Sequence, residues 1–443
     1  MRCPTAAQTL REKDYVQHSD SAAPNQPAPS PLSNPAFRKL LAISVTVALG
    51  FGLVVPILPN FARSFDVSLA AVGLVFFVFG LTRFLFGLVG GLVVDRFGDR
   101  FSVMAGLLIV AASSYASGLA ATFPQLVAAR GFGGAGSALF IAGLMNRIIR
   151  TIEPEAMGRA TGQFRSSFLV GISVGPLLGG ILARSFGDAA TFHVYGTGLL
   201  IAAVIAYFVM AGQAVDRTAP RSSPLESLRK AAPLLRDRRY VLALGATFVG
   251  WWVLAGPAQT IGPVFAAEEL GFSKFAIGAA VTLLSIGEVL VLFAAGSAAD
   301  RLGRKAVLVP SLVITAVAIA LVGQIEEAPW AYFPLMIAAG AGVAAGSTAA
   351  GGLLADSIRG HGAQQKGGSG SAVGVNQMAG DLGYLLAPTT VGFLAELGGF
   401  GLAFLAAAVP AALLLAWTVT LPNYRPERAG DTDEPGAAAD LVR

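Results

Sequence analysis

Apolar runs of roughly 20 residues, each long enough to cross a ~30 Å hydrocarbon core as a helix, recur along almost the whole of this chain. They fall near 39–62, 70–94, 101–121, 124–146, 161–183, 191–213, 241–265, 275–299, 306–324, 330–355, 371–395 and 399–421. Only 13% of the 443 residues are charged, against about 25% in soluble domains, so no polar exterior can cover this much apolar surface. In lipid each backbone polar group must be satisfied inside its own segment, which leaves the helix for runs of this length. The expected fold class is an all-α membrane protein with twelve transmembrane helices.

Lys and Arg distribution orients the spans. One set of connections holds Arg96 and Arg100; Arg147, Arg150 and Arg159; Arg229, Lys230, Arg236, Arg238 and Arg239; Arg301, Arg304 and Lys305; and Arg359 and Lys366. The opposite set holds only Arg63, Arg184 and Lys274, beside Glu268, Glu269, Glu326, Glu327 and Glu396. Both termini are therefore expected in the cytoplasm, as an even span count requires. The net charge of +5 is then a topology signal, and no nucleic-acid partner is implied. The domain reading is a disordered cytoplasmic tail at 1–37, a six-helix bundle at 38–213, a cytoplasmic linker at 214–240, a second bundle at 241–421 and a tail at 422–443. Within the linker, Leu225, Leu228 and Leu235 share one side of a helical wheel, as a segment lying on the lipid surface would. Cys3 is the one cysteine, and His18, His193 and His361 show no ligand spacing. No metal, and no cofactor, is expected. A Walker-type loop is also missing, so ATP is not the energy source.

Two charged stretches interrupt the apolar pattern: GLVVDRFGDR, Gly91 to Arg100, and GSAADRLGRK, Gly296 to Lys305, at an offset of 205 residues. Each joins a second span to a third within its own half, which is an internal duplication of six spans. Asp95 and Asp300 can each accept hydrogen bonds from a neighbouring helix N-terminus, whose partial positive charge favours a carboxylate. That contact forms only while the halves are closed on that side, so it would act as a latch. Solvated turns are the plainer alternative, and they account less well for two copies at matching sites.

These stretches resemble the span 2–3 loop signature of the major facilitator superfamily, through Gly91, Asp95, Arg96, Gly98 and Arg100, and again through Gly296, Asp300, Arg301, Gly303, Arg304 and Lys305. Val93 stands where a Leu is usual, and Asp99 where a base is usual. GQFRSSFLVGISVGPLLGG in span 5 matches the signature associated with that superfamily's antiporters at Gly162, Gly171, Gly175, Pro176, Gly179 and Gly180. LGFGLVVPILP in span 1 is similar to the pattern of its twelve-span drug:proton antiporters, through Leu49, Gly50, Pro56 and Pro59. RGFGGAGSA in span 4 is similar to their arginine-containing motif through Arg130, Gly134, Gly136 and Ala138, with Gly133 where a Gln is usual. The resemblance implies two pseudo-symmetric six-helix bundles working by alternating access. It also implies that Asp95 lies near the start of span 11, around Gly368 to Ser371, and Asp300 near the start of span 5, around Gly158 to Thr161.

Ionisable side chains inside a span cost at least about 2.5–3.5 kcal/mol at the bilayer centre on insertion scales, so each is a functional candidate. They are Arg83, Arg130, Arg165, Glu288 and Asp381. Arg83 and Glu288 each precede their loop aspartate by twelve residues, about 18 Å of helix. An acid in a low-dielectric cavity can load and release a proton near neutral pH, which suits Glu288 and Asp381 as carriers; a structural ion pair is the competing role. The superfamily's proton acid more often lies in span 1 or span 4, and this chain has none there. Packing span 2 on span 11 would let Arg83 face Asp381, and packing span 5 on span 8 would direct Arg165 toward Glu288. Phe84, Trp251, Trp252, Gln259, Asn376, Gln377 and Tyr384 are the expected cavity lining. Aromatic groups with few polar anchors suit an amphiphilic organic substrate.

The expected function is proton-coupled efflux of amphiphilic or hydrophobic organic compounds by a monomer in the plasma (inner) membrane. Its partners are a small organic substrate, protons and the lipid bilayer. A sugar or metabolite transporter on the same fold, exporter or proton symporter, stays open as the alternative. An enzyme would need a nucleophile–base or metal cluster, and the sequence offers none.

Overall fold

In the computed structural model the described residues are 30–152, 156–210, 229, 232–360 and 369–424, without the side chains of Leu88, Val89, Asp95, Met157, Gly158, Thr161, Arg165, Ser369 and Gly370. The expected tails up to residue 29 and beyond 424, and most of the 214–240 linker with Leu225 and Leu228, lie outside the described residues.

Eleven helical segments among the described residues are long and apolar enough to cross a membrane. The last, Ser371–Thr420, has 50 residues, about 75 Å of helix at 1.5 Å per residue, enough for two crossings. It breaks at Gly398 and Gly399, whose backbone is not helical, which yields spans 11 and 12. Span 1 comprises Pro35–Val54 and Leu58–Arg63, and spans 2 to 6 are Leu69–Phe97, Asp99–Gly118, Phe123–Thr151, Met157–Phe186 and Asp188–Val209. Span 7 runs from Arg238 to Glu268, and spans 8 to 10 are Lys274–Leu302, Arg304–Val322 and Tyr332–Gly360.

Local chemistry sets several of these ends. Span 1 starts three residues before the expected boundary at 38, because the Asn34 side chain accepts from the Ala36 and Phe37 N–H groups, with Pro35 opening the helix. It is interrupted between Val54 and Leu58, where Pro56 supplies no N–H. Span 7 widens into a π-helical stretch, Leu254–Ile261, around Pro257. The turns between spans 2 and 3, 5 and 6, 8 and 9, and 11 and 12 hinge on Gly98 (φ 87°), Gly187 (φ 83°), Gly303 (φ 100°) and Gly399 (φ 77°), a backbone region that is essentially glycine-only. The same turn in each three-helix unit marks a repeat nested within each half. As a consequence, the charged stretches are helix on both sides of one glycine rather than loops.

Within each half the packing follows one scheme. Span 1 lies against 5 and 6, span 2 against 4, and span 3 against 4 and 6; the second half repeats this, with 8 against 10 and 9 against 10. Between halves, span 2 meets span 11 and span 5 meets span 8, the exchange that a pseudo-two-fold axis requires.

The two halves meet on one side. Arg63 at the end of span 1 pairs with Glu268 at the end of span 7 at 2.7 Å, and Lys274 pairs with Asp188 at 2.6 Å. The Asn60 amide donates to the Pro263 carbonyl, and the Glu396 carboxylate accepts from the Ala70 N–H. All lie away from the base-rich ends. Gly91 and Gly162, toward the base-rich side, have no atom within 4 Å of where a Cβ would stand, and Gly296 meets only Thr348 of its own half. Among the described residues, this is a bundle pair closed opposite the base-rich side and parted on it.

Candidate functional site

Three constellations follow from this architecture: the charged turns, the glycine seam of span 5, and the ionisable groups at mid-membrane.

At the second charged turn, Arg304 donates to Asp300 at 2.6 Å and to Asp356 of span 10 at 3.1 Å, and Arg359 holds the other Asp356 oxygen at 2.5 Å. Asp300 keeps 67% of its side chain exposed. The proposed latch partners at the start of span 5 include Gly158 and Thr161, whose side chains lie outside the described residues, as does that of Asp95 itself. Gly368 at the start of span 11 also lies outside them. At the first turn Asp99 pairs with Arg147 of span 4 at 3.4 Å, both largely buried. Adding the 205-residue offset maps Asp99 onto Arg304. Each half thus makes an ion pair between its turn and its fourth helix: Asp99 with Arg147 in the first half, Arg304 with Asp356 in the second. That explains why Asp99 stands where a base is usual: the pair is kept with its polarity reversed.

Gly303 serves that turn in two ways. Its φ is 100°, and a Cβ there would overlap the side-chain amide of Asn423, which donates to the Leu302 carbonyl and accepts from the Lys305 N–H. Gly303→Ala is expected to cost about 1–3 kcal/mol, whereas Gly91→Ala, which meets open space, and Gly296→Ala, which meets only Thr348 at ordinary contact distance, leave stability unchanged. Thermal unfolding followed by size-exclusion chromatography checks this ranking; equal melting temperatures for all three variants would contradict it. Gly91 and Gly296 therefore do not serve a close backbone approach in this conformation, because the halves are parted where they stand.

Glycines of span 5 do serve it. A Cβ at Gly171 would lie 2.7 Å from the Val45 carbonyl, one at Gly175 2.6 Å from Gly52 Cα, and one at Gly179 would overlap the Leu53 carbonyl. This stripe, spaced by four, seats span 5 on span 1. The next face turns to the other half: Gly180 abuts the Lys274 carbonyl and the Pro176 carbonyl abuts Gly278, while the Leu177 N–H donates to Thr282 at 3.1 Å. One motif joins span 1 within its half to span 8 across the seam.

Arg83 and Asp381 face each other across the span 2–span 11 seam at 3.8 Å, each about a quarter exposed. Glu288 is half-buried and makes no ion pair or hydrogen bond among the described residues. The Leu177–Thr282 contact places Glu288 opposite about residue 171, some 9 Å along the helix from Arg165, whose side chain is not described. Arg130 is 3% exposed, with its guanidinium carbon 4.8 Å from the Phe79 ring centroid and its Nε lacking any partner.

The expected cavity lining divides. Trp251 lies edge-on to Tyr384 with centroids 6.1 Å apart and covers Gly380. Asn376 accepts from Thr247 at 3.0 Å, and Gln377 is exposed. Gln259 sits in the π-helical stretch with its Oε1 unpartnered. Trp252 is the correction: it is buried, and its indole N–H donates to the Ala407 carbonyl of span 12 at 3.1 Å. One residue is about 100° of helical rotation, so neighbouring tryptophans cannot share a face. Phe84 is partly buried.

The sequence profile of the Major Facilitator Superfamily matches residues 40–263 and 248–443. The chain belongs to the Major Facilitator Superfamily. Among relatives, Multidrug resistance protein 2 of Bacillus subtilis (strain 168) is 25% identical over 288 residues, covering 63% of this chain and 71% of that protein. The class C tetracycline resistance protein of Escherichia coli is 28% identical over 318 residues, 69% of this chain and 77% of that one. A bacterial homologue of the human lysosomal transporter Spinster, solved in an inward-facing and unoccupied conformation, superposes with a TM-score of 0.71 at 17% identity, over 89% of this chain and 97% of that one. The protein is a multi-pass membrane transporter of this superfamily.

Sequence reasoning missed the closed side of the bundle. Arg63, Lys274, Glu268 and Glu396 were visible as sparse charges of the opposite connections, but Asp188 was not singled out. Two isolated bases among acids were the available signal. The π-helical stretch of span 7 was missed too, although Gly256-Pro257 marked it.

Proposed function

We propose that this superfamily member is a proton-coupled exporter of amphiphilic or hydrophobic organic compounds. It works as a monomer in the plasma (inner) membrane, with its base-rich side and both termini cytoplasmic. The observation that carries this reading is the Arg83–Asp381 pair. It joins a titratable acid in one half to a fixed cation in the other, so rocking of the halves changes the field at the acid. That state dependence is what exchange of a proton for a substrate requires. The antiporter-type seam of span 5 and the names of the relatives support export, and the latch role of Asp95 and Asp300 belongs to the same reading. On this orientation the described conformation is open to the cytoplasm.

Inverted membrane vesicles energised by an acid interior provide the test. Addition of an exported aromatic amphiphile should release protons from the lumen, read by a pH-sensitive dye, and the labelled compound should accumulate inside. Accumulation without proton release would remove the antiport mechanism. Flux only in right-side-out vesicles would favour the uptake alternative.

A further inference from the structure

Arg130 poses an unsolved electrostatic problem. Its side chain is 3% exposed and has no ion pair or hydrogen bond among the described residues. A guanidinium is not deprotonated in proteins, so unlike a buried acid it cannot shed its charge. The Phe79 face at 4.8 Å returns on the order of 2 kcal/mol, whereas desolvating an ion costs several kcal/mol even after relaxation. Local charge does not balance either. The cations are Arg83 and Arg130; Asp381 is engaged by Arg83, and no described acid pairs with Arg130. Tyr195 and Tyr384, both 4% exposed, lie within electrostatic range of Arg130, and neither hydroxyl donates to any described residue. The cluster thus offers a guanidinium from span 4 without a carboxylate partner, and phenolic O–H groups from spans 6 and 11 that donate to no described residue. Its walls are aromatic, with Phe79 on one side and the Trp251–Tyr384 edge contact on the other.

We propose that Arg130, with Tyr195 and Tyr384, forms an anion subsite that receives the carboxylate of an aromatic or amphiphilic organic acid. This deepens the exporter reading and rests on it for the ligand's apolar body. The carboxylate would take the guanidinium as a charge-assisted partner and accept from both hydroxyls, while Arg83 engages Asp381, so that no free carboxylate is offered to an ammonium compound beside the Arg130 cation.

The test uses purified full-length protein and three probes with one ring system: 2-naphthoate, 2-naphthamide and 2-naphthylmethylammonium. Binding is followed by intrinsic tryptophan fluorescence, without any proton gradient. The wild type should bind the carboxylate about ten-fold or more tighter than the amide, the scale of one hydrogen bond to a charged group. Arg130→Gln should remove that preference, and Arg130→Lys should retain part of it. Tyr384→Phe should weaken the carboxylate alone. Should Arg130→Gln fail to fold, the probe ranking on the wild type still decides. Equal or tighter binding of the amide or ammonium probe, no binding of naphthoate, or a preference that survives Arg130→Gln would each overturn the site. Carboxylate preference with no proton-driven flux in vesicles would instead remove the exporter reading and leave the subsite standing.

Discussion

Asp381→Asn is expected to lower proton-driven flux by about 5- to 150-fold, the range of a typical coupling free energy of 1–3 kcal/mol, while substrate binding at fixed pH is largely kept. Asp381 sits on span 11 and Arg83 on span 2, 3.8 Å apart. At that separation and an effective dielectric of about 20 two unit charges attract by about 4 kcal/mol, and doubling the distance halves this. The electrostatic work of holding a charge on Asp381 therefore differs between the two arrangements of the halves. Asparagine preserves the shape and one acceptor oxygen for Arg83, but it cannot take up or release a proton. With both side chains a quarter exposed, water takes over part of the lost pairing, so expression should survive. Glu288→Gln should have the smaller effect, because Glu288 has no described partner across the seam and its surroundings are less tied to the state of the bundle. Dye-reported proton release in inverted vesicles, with binding measured in parallel, distinguishes the outcomes. Wild-type flux from Asp381→Asn would make the carboxylate a structural partner and move the proton site elsewhere.

The second large effect belongs to the span 5 seam. Gly179→Val should cost at least the upper part of the ~1–3 kcal/mol range for overpacking, because the obstacle is backbone. A Cβ at Gly179 would overlap the Leu53 carbonyl oxygen, and one at Gly175, a turn earlier, would stand 2.6 Å from Gly52 Cα. No rotamer change relieves such a contact; spans 1 and 5 must move apart, which also lifts span 5 from span 8 at Gly180 and Gly278. In lipid, helix association depends on this close packing, since no hydrophobic force drives it. Gly162→Val is the control, because among the described residues no atom lies within 4 Å of the position a Cβ would take at Gly162. Its melting temperature should match the wild type, whereas Gly179→Val should unfold earlier or fail to accumulate. Matching melting curves for both variants would show that the seam tolerates separation.

Apolar run length and the placement of Lys and Arg are local properties, and a membrane turns them directly into structure. Because every spanning segment must satisfy its own backbone, the sequence by itself determined the twelve spans, their ends to within a few residues, and the duplication carried by Gly91–Arg100 and Gly296–Lys305. Matching depths on packed spans also made the Arg83–Asp381 pairing legible. What depended on rotation about a helix axis was not. Trp251 and Trp252 read alike in sequence, yet one faces Tyr384 and the other is spent on the Ala407 carbonyl. Pairings between distant charges were equally hidden. Asp99 looks like a defect in the motif until Arg147, 48 residues away, is seen supplying the missing guanidinium from span 4. Arg63 with Glu268 and Lys274 with Asp188 close one side of the bundle, and only the tertiary structure could decide this, because each pair joins different halves. An alternating-access protein has two such arrangements for one sequence. Hydropathy is common to both, and the contacts that tell them apart exist only once the halves are packed.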